Sequence, residues 1–273
     1  MAQLFKYDAT VLEVTGKDSL RYLNARLSND VKKLPIGDAM LAAALTAQGR
    51  TEALFSVWKR SDESFLLAAT SPEREKIIQI VKKFIVADRV TVTDLSDSWR
   101  LFHLFNQGDW IIPGEVLELA LSDRSRYGAH LLSNLKELPK ENIEWLSKEA
   151  FETRRFKAGL PLFPEEINQD AIISESGLDG VISLTKGCYV GQEVLERIDS
   201  HGKAPRLLRL LCARSASLLK PADPICASGV PVGKICSVAE DRTASSLYIF
   251  AYLKNESSLS QFTSGENSLE LLP

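Results

Sequence analysis

The sequence contains no long run of like charge, no apolar stretch of membrane length and no closely spaced cysteine pair. Thirty-three basic residues are balanced by thirty-six acidic ones, for a net charge of -3. Without a basic tract, a general nucleic-acid or anionic-membrane surface is excluded. The short cluster Arg206-Leu-Leu-Arg209 alternates with apolar residues as a strand does, and suits one anionic ligand rather than a DNA backbone. No segment approaches the ~18 apolar residues of a membrane helix. The opening Met-Ala-Gln-Leu-Phe-Lys-Tyr-Asp lacks the apolar core of a signal peptide and the Arg- and Ser-rich character of a transit peptide. The expected compartment is the cytoplasm.

Cysteine is scarce. Cys188, Cys212, Cys226 and Cys236 form no CxxC pair, so a zinc site of close ligand spacing is not encoded and no metal is expected. Three of them lie among apolar residues in strand-like segments, where a free cysteine behaves as a small buried hydrophobe. Histidine is scarcer still: His103, His130 and His201 are scattered, and the first two read as core or surface filler. His201 follows a helical segment in Ser200-His201-Gly202-Lys203, a loop placed to close over a site.

What is present is an ordinary folding composition, 45% hydrophobic and 25% charged over 273 residues. A chain of this length buries roughly three quarters of the surface its unfolded form exposes, so it needs no disulfide to fold. Residues 10–14 alternate as a strand, and Gly16-Lys-Asp-Ser-Leu20 leads into a helix with Leu20, Leu23 and Leu27 on one face. Residues 39–46 and 51–59 read as a strand pair around the turn 47–50, and 64–69 as a further strand. Ser71-Pro72-Glu73-Arg74 predicts a capped helix reaching Phe84, with Ile77, Ile80 and Val81 on its buried stripe. Residues 89–94 return to the sheet.

A second set follows, with strands at 99–105, 110–112 and 129–132 and a helix over 142–159 ended by Pro161 and Pro164. Helices on one face of an antiparallel sheet define an α+β class. Beyond residue 205, turn signals at 221–224, 228–229 and 255–258 separate short β-rich pieces, predicting a small β-barrel. The expected units are 1–98, 99–205 and 206–273, with interleaving allowed between the first two.

The second unit contains Lys186-Gly187-Cys188-Tyr189-Val190-Gly191-Gln192-Glu193. Residues 190–198 read as a helix with Glu193 and Arg197 as an i,i+4 pair. Cys188 is then expected at or just before a helix N-terminus and beside Lys186, both of which favour a thiolate. Gly187 and Gly191 allow a sharp turn or a close ligand approach. A tight loop-to-helix junction with an inert cysteine satisfies the same spacing.

This octapeptide resembles the K-G-C-[FY]-x-G-Q-E signature of the YgfZ family, folate-binding proteins related to the aminomethyltransferase (T-protein) of the glycine cleavage system. Gly16-Lys-Asp-Ser, Leu45-Thr-Ala-Gln-Gly49-Arg50, Ala158-Gly-Leu-Pro161, Glu175-Ser-Gly-Leu178 and Gly229-Val-Pro-Val-Gly233 extend the resemblance over most of the chain. The resemblance implies a ring of two α+β subdomains plus a C-terminal barrel, with tetrahydrofolate or a derivative in the centre. It implies a role in assembling or repairing iron–sulfur clusters, through transient contact with client or assembly proteins, with Cys188 as the functional thiol. It also implies that Glu175 accepts from the pterin ring and that Arg206 meets the folate's glutamate tail.

T-proteins carry an acidic pair in the strand after the glycine turn, where this chain has Ala53-Leu54. Glu52 is one register away and, by strand alternation, faces opposite to Ala53. The missing acid pair argues against aminomethyl transfer. A position after the Glu175 equivalent also departs, being Ser176, which bears on the contacts to the pterin. The alternative is a tetrahydrofolate-dependent aminomethyl or one-carbon transferase in which Glu52 or Glu175 replaces the missing acid. A third reading is a scaffold that kept the fold and lost the ligand.

Overall fold

Residues 1–114, 116–135, 138, 141–202, 204–214, 219–256 and 261–272 are described by the structure, a computed structural model. Its first half runs β1 (Ala2–Lys6), β2 (Thr10–Thr15), α1 (Ser19–Arg26), β3 (Ala39–Leu45), β4 (Thr51–Ser61), β5 (Ser64–Ala69), α2 (Arg74–Lys82) and β6 (Thr91–Asp94). Then come β7 (Arg100–Asn106), β8 (Leu117–Ala120), α3 (Arg124–Tyr127), β9 (Ala129–Ser133), β10 (Ile143–Trp145), α4 (Lys148–Ala158) and α5 (Gln192–Ser200). The last part is β11 (Arg206–Arg214), β12 (Pro224–Ala227), β13 (Val230–Asp241), β14 (Ser246–Lys254), β15 (Phe262–Ser264) and β16 (Asn267–Leu271).

These elements make an α+β body of two sheets with a closed barrel. The first sheet has the order β3-β4-β5-β2-β6 and the second β10-β1-β7-β9-β8. The barrel closes as β11-β14-β13-β12-β15-β16. Ser228 and Gly229 both take positive φ, +50° and +80°, which turns β12 directly back into β13.

One face of the first sheet is covered by the helices: Leu23 of α1, Leu27 just after it, and Ile77 and Val81 of α2 pack on Val14, Phe55, Val57 and Leu67. The opposite face carries Trp58, Leu66 and Ala68 against Leu101, Phe105, Leu119 and Leu132 of the second sheet. The two sheets are thus stacked face to face. Helix α4 joins this sandwich to the barrel, with Phe151 buried on the sandwich side and Phe156 against Leu208, Leu210 and Phe250.

Several local expectations are corrected. The first strand of the chain belongs to the second sheet, antiparallel to β7 and parallel to β10, so the sheets interleave along the sequence. That pairing draws residues 143–145 into a strand where a helix was expected from 142. The helix begins only after Ser147, whose side chain caps Ala150 N at 3.2 Å. The segment 110–112 is not a strand; Trp110 is instead buried beneath the second sheet, and β8 lies further on. Helix α2 starts at Arg74 with no side-chain cap, and Phe84 stands outside it, exposed. Lys203 and residues 257–258, parts of two expected loops, lie outside the described residues.

Candidate functional site

The signature is anchored by its lysine. Lys186 Nζ donates to the carbonyls of Asn24, Leu27 and Asn29 at 2.5, 2.7 and 2.6 Å. An ammonium has three donors, so all are committed to the end of α1, where helix carbonyls lack partners of their own. The ammonium also stands 4.8 Å over the Tyr189 ring. Burial pulls the Lys186 pKa down to about 8, with Lys32 acting in the same direction and Asp30 against it. Burial pushes the Tyr189 hydroxyl up to about 12.

Helix α5 begins at Gln192, two residues later than the spacing suggested. Gln192 Oε1 reaches back to accept from Tyr189 N at 3.1 Å, and its amide donates to Glu196. No Glu193–Arg197 ion pair is present among the described residues, and Glu193 is exposed. Gly191 has φ +83°, and a Cβ there would meet Thr46 O at 2.5 Å. Gly49, φ +73°, touches Val194 in the same way. The turn 46–50 is therefore packed on the start of α5, and the second signature glycine is sterically required. Gly187 has open space around it, and Cys188 beside it is the exposed member of the four cysteines. The other three are half-buried in the barrel, less enclosed than expected.

Glu175 and Arg206 come together. Arg206 Nε donates to both Glu175 oxygens at 3.1 Å, and Ile172 N donates to Oε2 at 3.1 Å. Although burial opposes its charge, the bonds to Glu175 raise the Arg206 pKa. Arg206 also lies 4.6 Å over the Tyr252 ring and donates to Asp170 O, an oxygen that Arg50 Nη1 shares at 2.7 Å. Ser176, with its hydroxyl bonded to Ile173 O, is buried beside the pair. Between this junction and the signature helix runs a groove of about 350 Å³, walled by Ser174, Leu195, Ile198 and Leu207.

The expected acid positions are apolar or neutralised. Ala53 is fully buried in the core and Leu54 faces the centre of the sandwich. The ladder slips between Ala44 and Leu45, leaving Glu52 without an opposite partner, so simple alternation does not apply there. Its carboxylate is gripped by Arg26 Nη2 at 2.6 Å and Lys83 Nζ at 2.8 Å.

At the centre lies a cavity that sequence reasoning did not anticipate in detail. Leu41, Leu54, Ser56 and Ala68 of the first sheet, with Thr70 just after β5, line it together with Leu121, Ser122, Tyr127 and His130. The segment 160–163 and Leu178 close its end, whereas Glu175 and the signature residues stand off its wall. Its empty space is about 480 Å³, open mouth included. The lining is mostly apolar with a few polar groups, as small-molecule sites are. Ser56 Oγ and His130 Nδ1 are 2.7 Å apart on its walls. His130 reads as filler in the sequence because Ala129 and Leu131 beside it are buried too, so its strand shows no alternation.

The fold is that of an aminomethyltransferase-like protein. Residues 8–106 match the family described as GCVT N-terminal domain. The chain is 31% identical over 202 residues to an uncharacterized protein of Haemophilus influenzae, covering 72% of this chain and 69% of that one. It is 27% identical over 233 residues to an aminomethyltransferase of Halalkalibacterium halodurans, covering 72% of this chain and 63% of the enzyme's length. A putative chloroplastic transferase of Arabidopsis thaliana is 24% identical over 277 residues, 90% of this chain and 63% of that one. The crystal structure of glycine cleavage system aminomethyltransferase T from Bartonella henselae shares the fold, with a TM-score of 0.80 over 99% of this chain and 84% of that one at 14% identity. The chain belongs to the T-protein-like family.

Among the described residues no group of three or more His, Cys, Asp or Glu side chains is arranged to hold a metal ion, and no helix is long and apolar enough to cross a membrane.

Proposed function

We propose that this protein binds tetrahydrofolate or a derivative in the central slot and serves, in the cytoplasm, as an accessory factor in assembling or repairing iron–sulfur clusters. The observation that carries the reading is the contrast between two positions. The acid pair of the transferases is Ala53-Leu54, with Glu52 held by Arg26 and Lys83, while Cys188 stands exposed on a loop pinned by Lys186. The largely apolar lining of the slot, with Ser56, Thr70, Tyr127 and His130 as its polar groups, is of the kind small-molecule sites have. Bound there, a folate would supply one-carbon chemistry or a reduced ring.

Clusters normally take four protein ligands, so the Cys188 thiol would contact one only transiently, together with a client or assembly partner. Glu175 and Arg206 are bound to each other, and the assignment of Glu175 to the pterin ring and of Arg206 to the glutamate tail belongs to this proposal. Lys186, Gly191 and Gln192 position the loop, and Gly187, Tyr189 and Glu193 complete it.

Calorimetry with tetrahydrofolate tests the binding half: micromolar affinity supports it, and silence supports a scaffold that lost its ligand. For the second half, deletion of the gene lowers the activity of cluster-dependent enzymes; normal activity in all of them would sink the idea. The relatives named aminomethyltransferase favour a one-carbon transferase as the second reading. Release of methylene-folate from an aminomethyl donor by the purified protein would establish it.

A further inference from the structure

Arg50 and Arg206 come from different parts of the fold, the turn that opens β4 and the first barrel strand, yet both donate to one backbone oxygen. Arg50 Nη1 reaches Asp170 O at 2.7 Å, and Arg206 Nη2 donates to the same atom. The surroundings fix both residues. Arg50 N donates to Thr46 Oγ1 at 3.2 Å, Thr51 N donates to Ala171 O at 3.1 Å, and Arg50 forms a β-bridge with Ile172, so the turn lies alongside residues 170–172. Arg206 is held by Glu175 and by the face of the Tyr252 ring.

Two guanidinium ions gathered on one carbonyl repel each other, and only one of them is compensated. Glu175, enclosed at 3% side-chain exposure, pairs with Arg206. Arg50 makes no ion pair among the described residues, and neither does the exposed carboxylate of Asp170. A guanidinium has five N–H donors. Arg206 commits its Nε–H to Glu175 and one Nη2–H to Asp170, and its Nη1 has no partner among the described residues. Arg50 commits one Nη1–H, and its Nε and Nη2 have none. Both side chains reach solvent, Arg206 at 35% exposure. Water would satisfy the free donors but not the uncompensated charge. An oxyanion satisfies both, since it accepts several charge-assisted N–H bonds at once.

We infer that Arg50 and Arg206 hold an oxyanion, the carboxylate or phosphate group of an acidic ligand, at the seam between the β3–β4 hairpin and the barrel. Arg50 supplies the attraction, since its charge is the one left over, and Arg206 adds the Nη1 donors. Glu175 keeps its bonds to Arg206, so the buried pair stays intact when the site fills. Neither arginine lines the central slot, and the site stands whether or not folate binds there.

The test is thermal melting of the full chain titrated with glutarate or with inorganic phosphate, chloride making up a constant ionic strength. Wild type should show a saturable rise in Tm with at least one of them. Arg50→Gln keeps a donor for Asp170 O and leaves Glu175 paired, and it should weaken the bound acid by roughly tenfold. Arg50→Lys, which keeps the charge without the fork, should restore part of that loss. Arg209→Gln removes an equal charge from an exposed position further along β11 and should change little. Tighter binding of glutarate assigns the site to a carboxylate ligand, and tighter binding of phosphate to a phosphorylated one. No saturation with either acid, or equal weakening in Arg50→Gln and Arg209→Gln, overturns the inference.

Discussion

Arg206 and Glu175 are bound to each other, one guanidinium nitrogen standing 3.1 Å from each carboxylate oxygen. Resemblance would assign them to opposite ends of a folate. Here they join the barrel's first strand to the turn that precedes the signature, and the carboxylate is almost entirely enclosed.

Arg206→Ala should therefore act first on stability. It leaves a carboxylate with 3% side-chain exposure without its cation. Breaking a fully buried pair costs about 3–5 kcal/mol. Arg206 is 35% exposed, and solvent screening lowers the expected cost to about 2 kcal/mol. Urea denaturation of the variant measures this, and an unchanged midpoint would show that water replaces the arginine without penalty.

Lys186→Met should detach the signature loop from α1. Three charge-assisted bonds to backbone carbonyls are lost, so a cost of about 2–3 kcal/mol is expected. Amide exchange at residues 186–190 should accelerate more than at β4. Arginine at this position should rescue poorly, since a planar fork does not reproduce a three-way point donor.

Acidification should destabilise the protein through His130. Its folded pKa, about 4, lies below the ordinary 6.5 because of burial. Below pH 6.5 the unfolded chain takes up a proton that the native state refuses, so the native advantage is complete above 6.5 and declines as pH falls toward 4. The loss over that window is roughly 3 kcal/mol at about 1.4 kcal/mol per pH unit. His103, also displaced downward by burial, adds in the same direction. Denaturation midpoints at pH 7 and 5 read the slope, and His130→Gln should flatten it.

Cys188 should be the first thiol modified by a maleimide in the native protein, as read by mass spectrometry, since the other three are partly enclosed. Cys188→Ser should leave stability within about 0.5 kcal/mol and abolish complementation in cells. Full complementation by this variant would remove the thiol from the proposal and leave folate binding untouched.

Much of this was legible in the sequence where local chemistry decides. The hairpin of β3 and β4 follows from alternation around Gly49, and the barrel from short strands punctuated by turn residues. The signature could be located, though its spacing did not reveal that Lys186 faces α1 rather than the thiol. What escaped was decided by distant partners. Trp145, Leu146, Ala150 and Phe151 fit a helical spacing, yet Ile143 and Trp145 pair with Ala2 and Leu4. The Glu175–Arg206 bond and the Ser56–His130 bridge link separate structural units, and nothing in either neighbourhood announces the other. Glu52 was misread because a ladder slip breaks the alternation on which its direction was judged.

The placement of β1 also has a bearing on synthesis. Its residues Ala2 and Leu4 are fully enclosed in the finished protein, but the strands that enclose them, β7 and β10, are translated much later. At roughly 5–20 residues per second, β1 waits on the order of ten seconds outside the ribosome before Ile143 is delivered to it. Throughout that interval the first sheet and its helices can consolidate, while the second remains an open edge to which another chain's strand could pair. The nascent protein is thus exposed to chaperones and to mispairing through β1 long after that strand has been made.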